Sequence, residues 1–339
     1  MNREYYCQLL NVPDSPPVEG LVFRAFEGEK DYQCIADIIN ACNDIDHLDR
    51  YSTKQDIANT YNHLVNCNPY EDMLFAEVHN KTCAYSRVSW RDENERTGIY
   101  WHIGFVMPGM RQNGIGRAML RNSQNRLRSI AESNPDHVER FFESYAVDTE
   151  LATTRLLESE GYLPERHFYL MVRSNLENIP ETRLPESLEI RPVKPSHYQA
   201  IHAASIEAFR DHWGFSEETE PTVQEWVEDP NFDPTLWRVA WDGEQVAGMV
   251  LGYINQDENN KFNRKRGYPE NICVRRPWRK RGLARALLID SLKAIKNREM
   301  DEAALGVDTQ NLTGALGLYE SVGFKPVKRS TVYRKPFND

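Results

Sequence analysis

Two short segments set basic residues beside glycine in a pattern suited to phosphate. One is Val274-Arg-Arg-Pro-Trp-Arg279-Lys280-Arg281-Gly282-Leu283-Ala284-Arg285. The other is Val106-Met-Pro-Gly-Met-Arg111-Gln112-Asn113-Gly114-Ile115-Gly116-Arg117. Each follows a strand-like run and opens a helix-like one. Small residues let backbone N–H groups come close to a ligand. A helix N-terminus offers unpaired donors and a partial positive charge, and the basic side chains add to it. Such a segment can cradle a pyrophosphate. No Lys-Ser/Thr follows the glycine, so neither copy is a P-loop, and the third glycine of a dinucleotide fingerprint is missing from both.

The two segments lie 168 residues apart, and other landmarks repeat with them. Val22-Phe-Arg24 precedes Glu189-Ile-Arg191 by 167 residues, Val147-Asp148-Thr149 precedes Val307-Asp308-Thr309 by 160, and Glu160-Gly161-Tyr162 precedes Val322-Gly323-Phe324 by 162. Landmarks in one order indicate a duplicated domain, and 339 residues suit two domains. Residues 1–19 have the composition of an N-terminal arm. Residues 20–174 form the first domain, 175–187, with Pro180 and Pro185, a linker, and 188–339 the second domain.

Periodicity in the second half predicts a strand over Leu188–Val193 and a helix over Ser196–Arg210. It then predicts strands over Trp237–Trp241 and Gln245–Ile254, joined at Asp242-Gly243, and a strand over Tyr268–Val274. A helix over Gly282–Arg298 carries Leu283, Leu287, Leu288, Leu292 and Ile295 on one stripe. A strand over Ala303–Val307, a helix over Thr313–Val322 ended by Gly323, and a strand over Lys328–Arg334 complete the half. The order β-α-β-β-β-α-β-α-β specifies an α/β (α+β) fold, a mixed sheet flanked by helices, present twice.

The glycine-basic loops match R/Q-x-x-G-x-G/A, and Asn311 is followed by Ala315-Leu-Gly-Leu-Tyr319-Glu-Ser-Val-Gly323-Phe324. Both patterns resemble signatures of the GNAT superfamily of N-acetyltransferases. The likeness runs over about residues 20–173 and 188–335 and is greatest to the tandem, mycothiol synthase-like members. It implies two GNAT-fold domains and acetyl-CoA as cofactor. It implies that the backbone of Ile272, Cys273 and Val274 pairs with the pantetheine arm and polarises the thioester carbonyl. Arg279, Lys280, Arg281, Gly282, Leu283 and Ala284 would take the pyrophosphate, and Asn311 would bond the pantetheine. Tyr319 stands where the family has its general acid, and Glu270 where many members carry a carboxylate base. The end of the first helix shapes the acceptor pocket in this fold. There Asp211 could pair with an acceptor cation, Trp213 could stack, and His212 could assist proton transfer.

The resemblance divides the halves. The first keeps Val106 and the loop Arg111, Gln112, Asn113, Gly114, Ile115, Gly116 and Arg117 as a cofactor-binding set. Counting back from Gly161 puts Leu157 in place of Tyr319. Counting four back from Val106 puts His102 in place of Glu270, and no residue matches Asn311. The second domain is therefore expected to be catalytic. The first is expected to be degenerate, either structural or holding acyl-CoA without turning it over.

Composition narrows the function. With 41 basic and 51 acidic residues, a net −10, the chain is poorly suited to nucleic acid. Apolar runs such as Met249–Ile254 fall far short of a bilayer span, and no signal-like segment opens the chain, so no membrane and a cytoplasmic location are expected. Six cysteines without C-x-x-C, and no H-E-x-x-H, suggest neither disulfide nor metal. The expected function is acetyl-CoA-dependent N-acetylation of a small-molecule primary amine, by a monomer or homodimer. The alternatives are a protein or peptide N-acetyltransferase, with the polar loop Asn255–Arg266 lining or covering its groove, and a non-catalytic acyl-CoA sensor.

Overall fold

A computed structural model describes residues 9–94, 96–311 and 314–337. Within them the chain forms two compact units, residues 9–165 with 331–337, and residues 166–330. The first unit begins with strands β1 (Leu9–Leu10) and β2 (Leu21–Arg24) and helices α1 (Tyr32–Asp46), α2 (Lys54–Asn62) and α3 (Pro69–Asp72). Then come β3 (Met73–Val78), β4 (Lys81–Asn94), β5 (Thr97–Val106), α4 (Ile115–Glu132), β6 (Glu139–Val147) and α5 (Leu151–Ser159). After β7 (Leu163–Arg173), the chain continues through β8 (Glu189–Ile190), α6 (Tyr198–Phe209), α7 (Val223–Glu228), β9 (Arg238–Asp242) and β10 (Gln245–Tyr253). It ends with α8 (Gln256–Phe262), β11 (Arg266–Val274), α9 (Leu283–Asn297), β12 (Glu302–Asp308), α10 (Ala315–Ser321) and β13 (Lys325–Pro336).

Both units have the mixed sheet that the element order implies. In the first, β2 to β5 pair antiparallel in sequence and β5 pairs parallel with β6. In the second, β8 to β11 pair antiparallel and β11 pairs parallel with β12. The α9 stripe predicted from sequence is buried, with Leu287, Leu288, Leu292 and Ile295 inaccessible to solvent. On α4, Ile115, Ala118, Met119 and Leu127 play the same part.

The unit boundaries differ from the sequence expectation. Phe168 to Arg173 of β7 pair antiparallel with β12 of the second unit, register Phe168↔Asp308 to Arg173↔Ala303. The far end of β13 belongs to the first unit. There Tyr333 joins the core with Tyr100 and Phe142, Arg334 meets Glu143 at 2.8 Å, and the Phe337 N–H donates to the Arg140 carbonyl. Each unit thus takes a strand from the other half. Period-two alternation tells which face a strand buries, not which strand it pairs with. The expected linker is also packed down: Leu176 is buried with Leu292 and Ile295, Leu184 packs against a separate cluster around Leu283 and Leu287, and Lys293 and Lys296 hold Glu181 and Glu177.

The segment 255–266, expected as a loop, contains α8. Asn255 caps it, accepting the Glu258 N–H at 2.8 Å, and Asn259 donates to the Arg266 carbonyl. Glu258 and Asn259 are buried, which pins the helix to its own unit. Of the N-terminal arm, the described part pairs β1 with β2 and buries Val12. Thr313, where the sequence starts the last helix, lies outside the described residues. Among the described residues no helix is long and apolar enough to cross a membrane.

Candidate functional site

Two parallel strands of the second unit part and leave a wedge. β11 and β12 pair only at Arg266↔Glu302 and Gly267↔Ala303, although they run on to Val274 and Asp308. Past Gly267 the facing edges carry backbone donors and acceptors that make no ladder with each other. A bulge sharpens the feature. Glu270 faces Leu251 of β10 and Cys273 faces Met249, so Asn271 and Ile272 share one partner position. Asn271 sits at φ +48°, a left-handed conformation that asparagine tolerates better than most residues. The bulge frees backbone around Ile272 from β10, at the spot where Ile272, Cys273 and Val274 were expected to act through their main chain. Cys273 itself is buried, its thiol pushed up to about 12 by that burial.

Glu270 reaches across the wedge. Its carboxylate accepts the Gly306 N–H of β12 at 3.3 Å. Burial pushes its carboxyl up to about 7, against one backbone hydrogen bond that favours the charged form. Tyr319 of α10 is buried at 6% exposure in the core with Phe324 and Val322. Its phenol is driven upward by burial, then by the charges of Glu270 and Cys273. Among the described residues its hydroxyl takes no hydrogen-bond partner. The structure therefore brings the expected acid and base within electrostatic reach of one another. Asn311 closes the turn after β12, its N–H on the Asp308 carbonyl at 3.2 Å.

The loop between β11 and α9 has the conformation of an anion nest. Lys280 and Gly282 are both left-handed, at φ +61° and +82°, and Gly282 caps α9 with no side chain satisfying the first N–H groups. Lys280, Arg281 and Gly282 are exposed, and a Cβ at Gly282 would meet nothing within 4 Å. This open, uncapped cradle fits a pyrophosphate. Leu283 faces the core and Ala284 is half-buried, so Leu283 offers only backbone.

Arg279 and Asp211 require correction. Arg279 turns away from the cradle: its Nε donates to the Val274 carbonyl at 2.9 Å, and its guanidinium meets Asp211 at 3.1 Å and the Ala208 carbonyl at 3.2 Å. Asp211 also holds Arg276, and the two arginines depress its carboxyl to about 2. An aspartate clamped by two guanidiniums is committed within the fold and does not await an acceptor cation. Arg279 acts as a strut between the strand end and α6.

Beyond Asp211, His212 packs edge-on against Phe209, and burial followed by the Arg279 charge lowers its basicity. Trp213 lies 6.3 Å from the Phe168 ring with the Arg166 guanidinium 5.4 Å from its own. Arg166 in turn grips Asp308 at the end of β12 (2.6 and 3.0 Å) and Gln310 at 2.8 Å. The aromatic wall is thereby fixed to the end of β12. Sequence reasoning missed Arg166 and Asn271. The asparagine inside a strand was the available signal for a bulge, whereas Arg166 carries none, because β7 was assigned to the other domain.

The first unit repeats the frame without the bulge. β5 pairs with β6 only to Trp101↔Glu143, so the wedge is present. Against β4, however, β5 runs in regular register from Ala84↔Val106 through Arg87↔Ile103. Structurally the counterpart of Glu270 is Ile103, three residues before Val106, because the second unit's bulge adds a residue. His102 points elsewhere: it is buried, bonded to the Tyr162 hydroxyl at 2.7 Å, and held near 4 by desolvation. Leu157, buried, stands in place of Tyr319.

The loop is preserved, with Gln112 and Gly114 left-handed, Ile115 buried, and Asn113 bonded to the Met110 carbonyl. Arg111 repeats the strut, with Nε on the Val106 carbonyl and a bidentate grip on Asp46. Arg117 holds Glu160. A cavity of about 1010 Å³ opens on this loop, lined among others by Val106, Gly114, Gly116, Ile103, Ser144 and Glu150. Glu150 folds back to accept the Val147 N–H at 2.7 Å. Pro16 stands 3.0 Å from where a Gly114 Cβ would be, so this cradle is partly covered.

The sequence profile of the Acetyltransferase (GNAT) family matches residues 198–324. A mycothiol acetyltransferase of Geodermatophilus obscurus is 27% identical over 259 residues, 75% of this chain and 78% of that one. A mycothiol acetyltransferase of Acidothermus cellulolyticus is 28% identical over 262 residues, 70% and 75% of the two chains. Among solved structures, a GCN5-related N-acetyltransferase from Sphaerobacter thermophilus superposes with a TM-score of 0.70 at 24% identity, covering 96% of this chain and 97% of that one. A tandem GNAT protein from the clavulanic acid biosynthesis pathway gives 0.62 at 14% identity, covering 94% and 98%. Their fold is the fold described above.

Proposed function

We propose, for a chain that belongs to the GNAT family of acetyltransferases and uses acetyl-CoA as its acyl donor, that the second unit acetylates the primary amine of a small molecule. The observation that carries this reading is the bulged wedge, where Glu270 and the Tyr319 phenol lie within electrostatic reach of one another, in the unit that carries the open anion cradle. Bound acetyl-CoA supplies a thioester whose acetyl carbon is open to a nucleophile. The exposed loop from Lys280 to Gly282 and the α9 N-terminus would hold the pyrophosphate. Freed backbone N–H at the bulge would face the carbonyl oxygen. Glu270 takes the proton from the acceptor ammonium, as a carboxylate with a pKa near the working pH does best. Tyr319 holds the proton that the departing sulfur needs.

The relatives' name supplies the first acceptor to try, the amine that is acetylated in forming mycothiol. The test is release of CoA thiol from acetyl-CoA across a panel of that amine, amino sugars, polyamines and peptides. Turnover with a small amine but not with peptides supports the proposal. Turnover confined to peptides, or to none, overturns it.

The first unit, on this reading, holds acyl-CoA without turning it over, since it has the loop and a cavity but no bulge in β5, Ile103 at the position of Glu270 and Leu157 at that of Tyr319. Calorimetric titration of acetyl-CoA should give two sites. Gly282→Trp should remove one and Gly114→Trp the other, with turnover lost only in Gly282→Trp. A single site, lost with Gly282→Trp, would make the first unit a scaffold.

The strut makes a separate expectation. Arg279→Gln should lower kcat/KM about tenfold for acetyl-CoA and equally for acetyl-pantetheine, which has no pyrophosphate, because a carbonyl brace serves both. Lys280→Gln with Arg281→Gln should impair acetyl-CoA alone. A selective loss with acetyl-CoA in Arg279→Gln would restore that arginine to the phosphate.

A further inference from the structure

In the first unit, Arg87 of β4 stands where the second unit has Leu251, directly across from the counterpart of Glu270. Its guanidinium lies 5.2 Å from the Tyr61 ring centroid and 5.7 Å from that of Trp101. Two polar atoms at this spot are buried and have no hydrogen-bond partner, the Arg87 Nε and the Tyr61 hydroxyl. Tyr61 is only 9% exposed. No carboxylate pairs with Arg87 among the described residues. The arginines that are buried in this unit, unlike the half-buried Arg87, are paired. Arg24 holds Asp31 and Glu77, and Arg334 holds Glu143 and Glu93. Buried polar groups are normally satisfied, and two orphans side by side call for an explanation.

We propose that Arg87, Tyr61 and Trp101 form a carboxylate-binding site in the first unit. A planar guanidinium stacked between aromatic faces keeps its edge for a bidentate grip on a carboxylate. The Tyr61 hydroxyl donates to the same group, and Trp101 holds the guanidinium plane. The charge at this register is inverted between the units: a carboxylate suited to an ammonium in the second, a guanidinium suited to an anion in the first. Ile103, the cross-strand partner of Arg87, lines the first unit's cavity. Arg87, Tyr61 and Trp101 stand outside the lining of that cavity, so the carboxylate arrives either free or at the end of an acyl chain that reaches past Ile103. The site goes beyond the acyl-CoA reading of that cavity, and its free-ligand arm does not depend on it.

The test is calorimetric titration of the full chain with sodium succinate at constant ionic strength, with sodium chloride as control, beside titrations with succinyl-CoA and acetyl-CoA. Wild type should bind succinate or succinyl-CoA saturably. Arg87→Met should weaken that binding at least tenfold and Tyr61→Phe severalfold, both with native circular dichroism and acetyl transfer within twofold of wild type. Succinate binding with no preference for succinyl-CoA over acetyl-CoA assigns the site to a free carboxylate. A succinyl-CoA preference lost in Arg87→Met assigns it to a carboxyl-ended acyl chain. Wild type that neither binds succinate nor prefers succinyl-CoA overturns the proposal, as does binding undiminished in Arg87→Met.

Discussion

Wild type should show a rise of rate with pH around 7, and Glu270→Gln should abolish that rise and lower kcat/KM at pH 8 by about 10²–10³-fold. The carboxyl is neutral below that pH and cannot take a proton, so the rate climbs as it ionises. Glutamine keeps the shape and can still accept the Gly306 N–H, but not a proton. The same shift bears on stability. A carboxyl at about 7 in the fold and at its ordinary 4.5 when unfolded binds more protons in the native state between those values. Its contribution is most favourable below 4.5 and is lost as pH rises through 7. At pH 8 the charge therefore costs about 3 kcal/mol at most, and about 2 kcal/mol once the partial exposure of the carboxyl is allowed for. Glu270→Gln should melt about 5 °C above wild type at pH 8, with the gap closing toward pH 5. A slower and more stable variant is the signature of a charge kept for chemistry. A variant that retained the rate rise near 7 would exclude Glu270 as the base.

The frame of this molecule was legible because it was written twice. The loops and the Val-Asp-Thr and Gly-aromatic landmarks recur in one order, 160 to 168 residues apart, and local chemistry dictates each, as it does the α9 stripe. Glu270 and Tyr319 were singled out by the family resemblance, and burial and electrostatic reach support that choice. What escaped was set by partners distant in sequence. The roles of Arg279 and Asp211 were misjudged because a basic residue next to a phosphate loop is as available to an aspartate 68 residues away as to a ligand. The exchange of β7 and β13 escaped because strand periodicity is silent on neighbours. Counting residues from Val106 to align His102 with Glu270 failed for a local reason, the residue that the bulge inserts. That error mattered, since it hid Ile103 as the counterpart of the base and so hid the cation facing it.

The contrast between units also explains why a duplicated frame need not duplicate activity. Both keep the wedge, the left-handed loop and the arginine strut. On the proposed reading, chemistry depends on three local additions: one inserted residue at Asn271, a carboxylate beside it, and a phenol on the last helix. The first unit lacks all three, and each is a change of one position.

Tyr319→Phe should lower kcat about 10²-fold while leaving the KM for acetyl-CoA within twofold. The ring packs in the second unit's core, and phenylalanine preserves that packing. The lost hydroxyl has no partner among the described residues, so the melting temperature should barely move. Any loss of rate is then a loss of proton supply rather than of fold. Burial and the Glu270 charge keep the phenol protonated across the working range. When Glu270 accepts the ammonium proton, its charge vanishes and the phenol becomes the stronger acid, so the two groups act in sequence. An acetyl thioester of a more acidic thiol needs less help to leave. With it, the gap between Tyr319→Phe and wild type should narrow markedly, while the gap for Glu270→Gln should persist. Equal rates with acetyl-CoA for Tyr319→Phe and wild type would remove the phenol from the reaction and leave the proton to solvent.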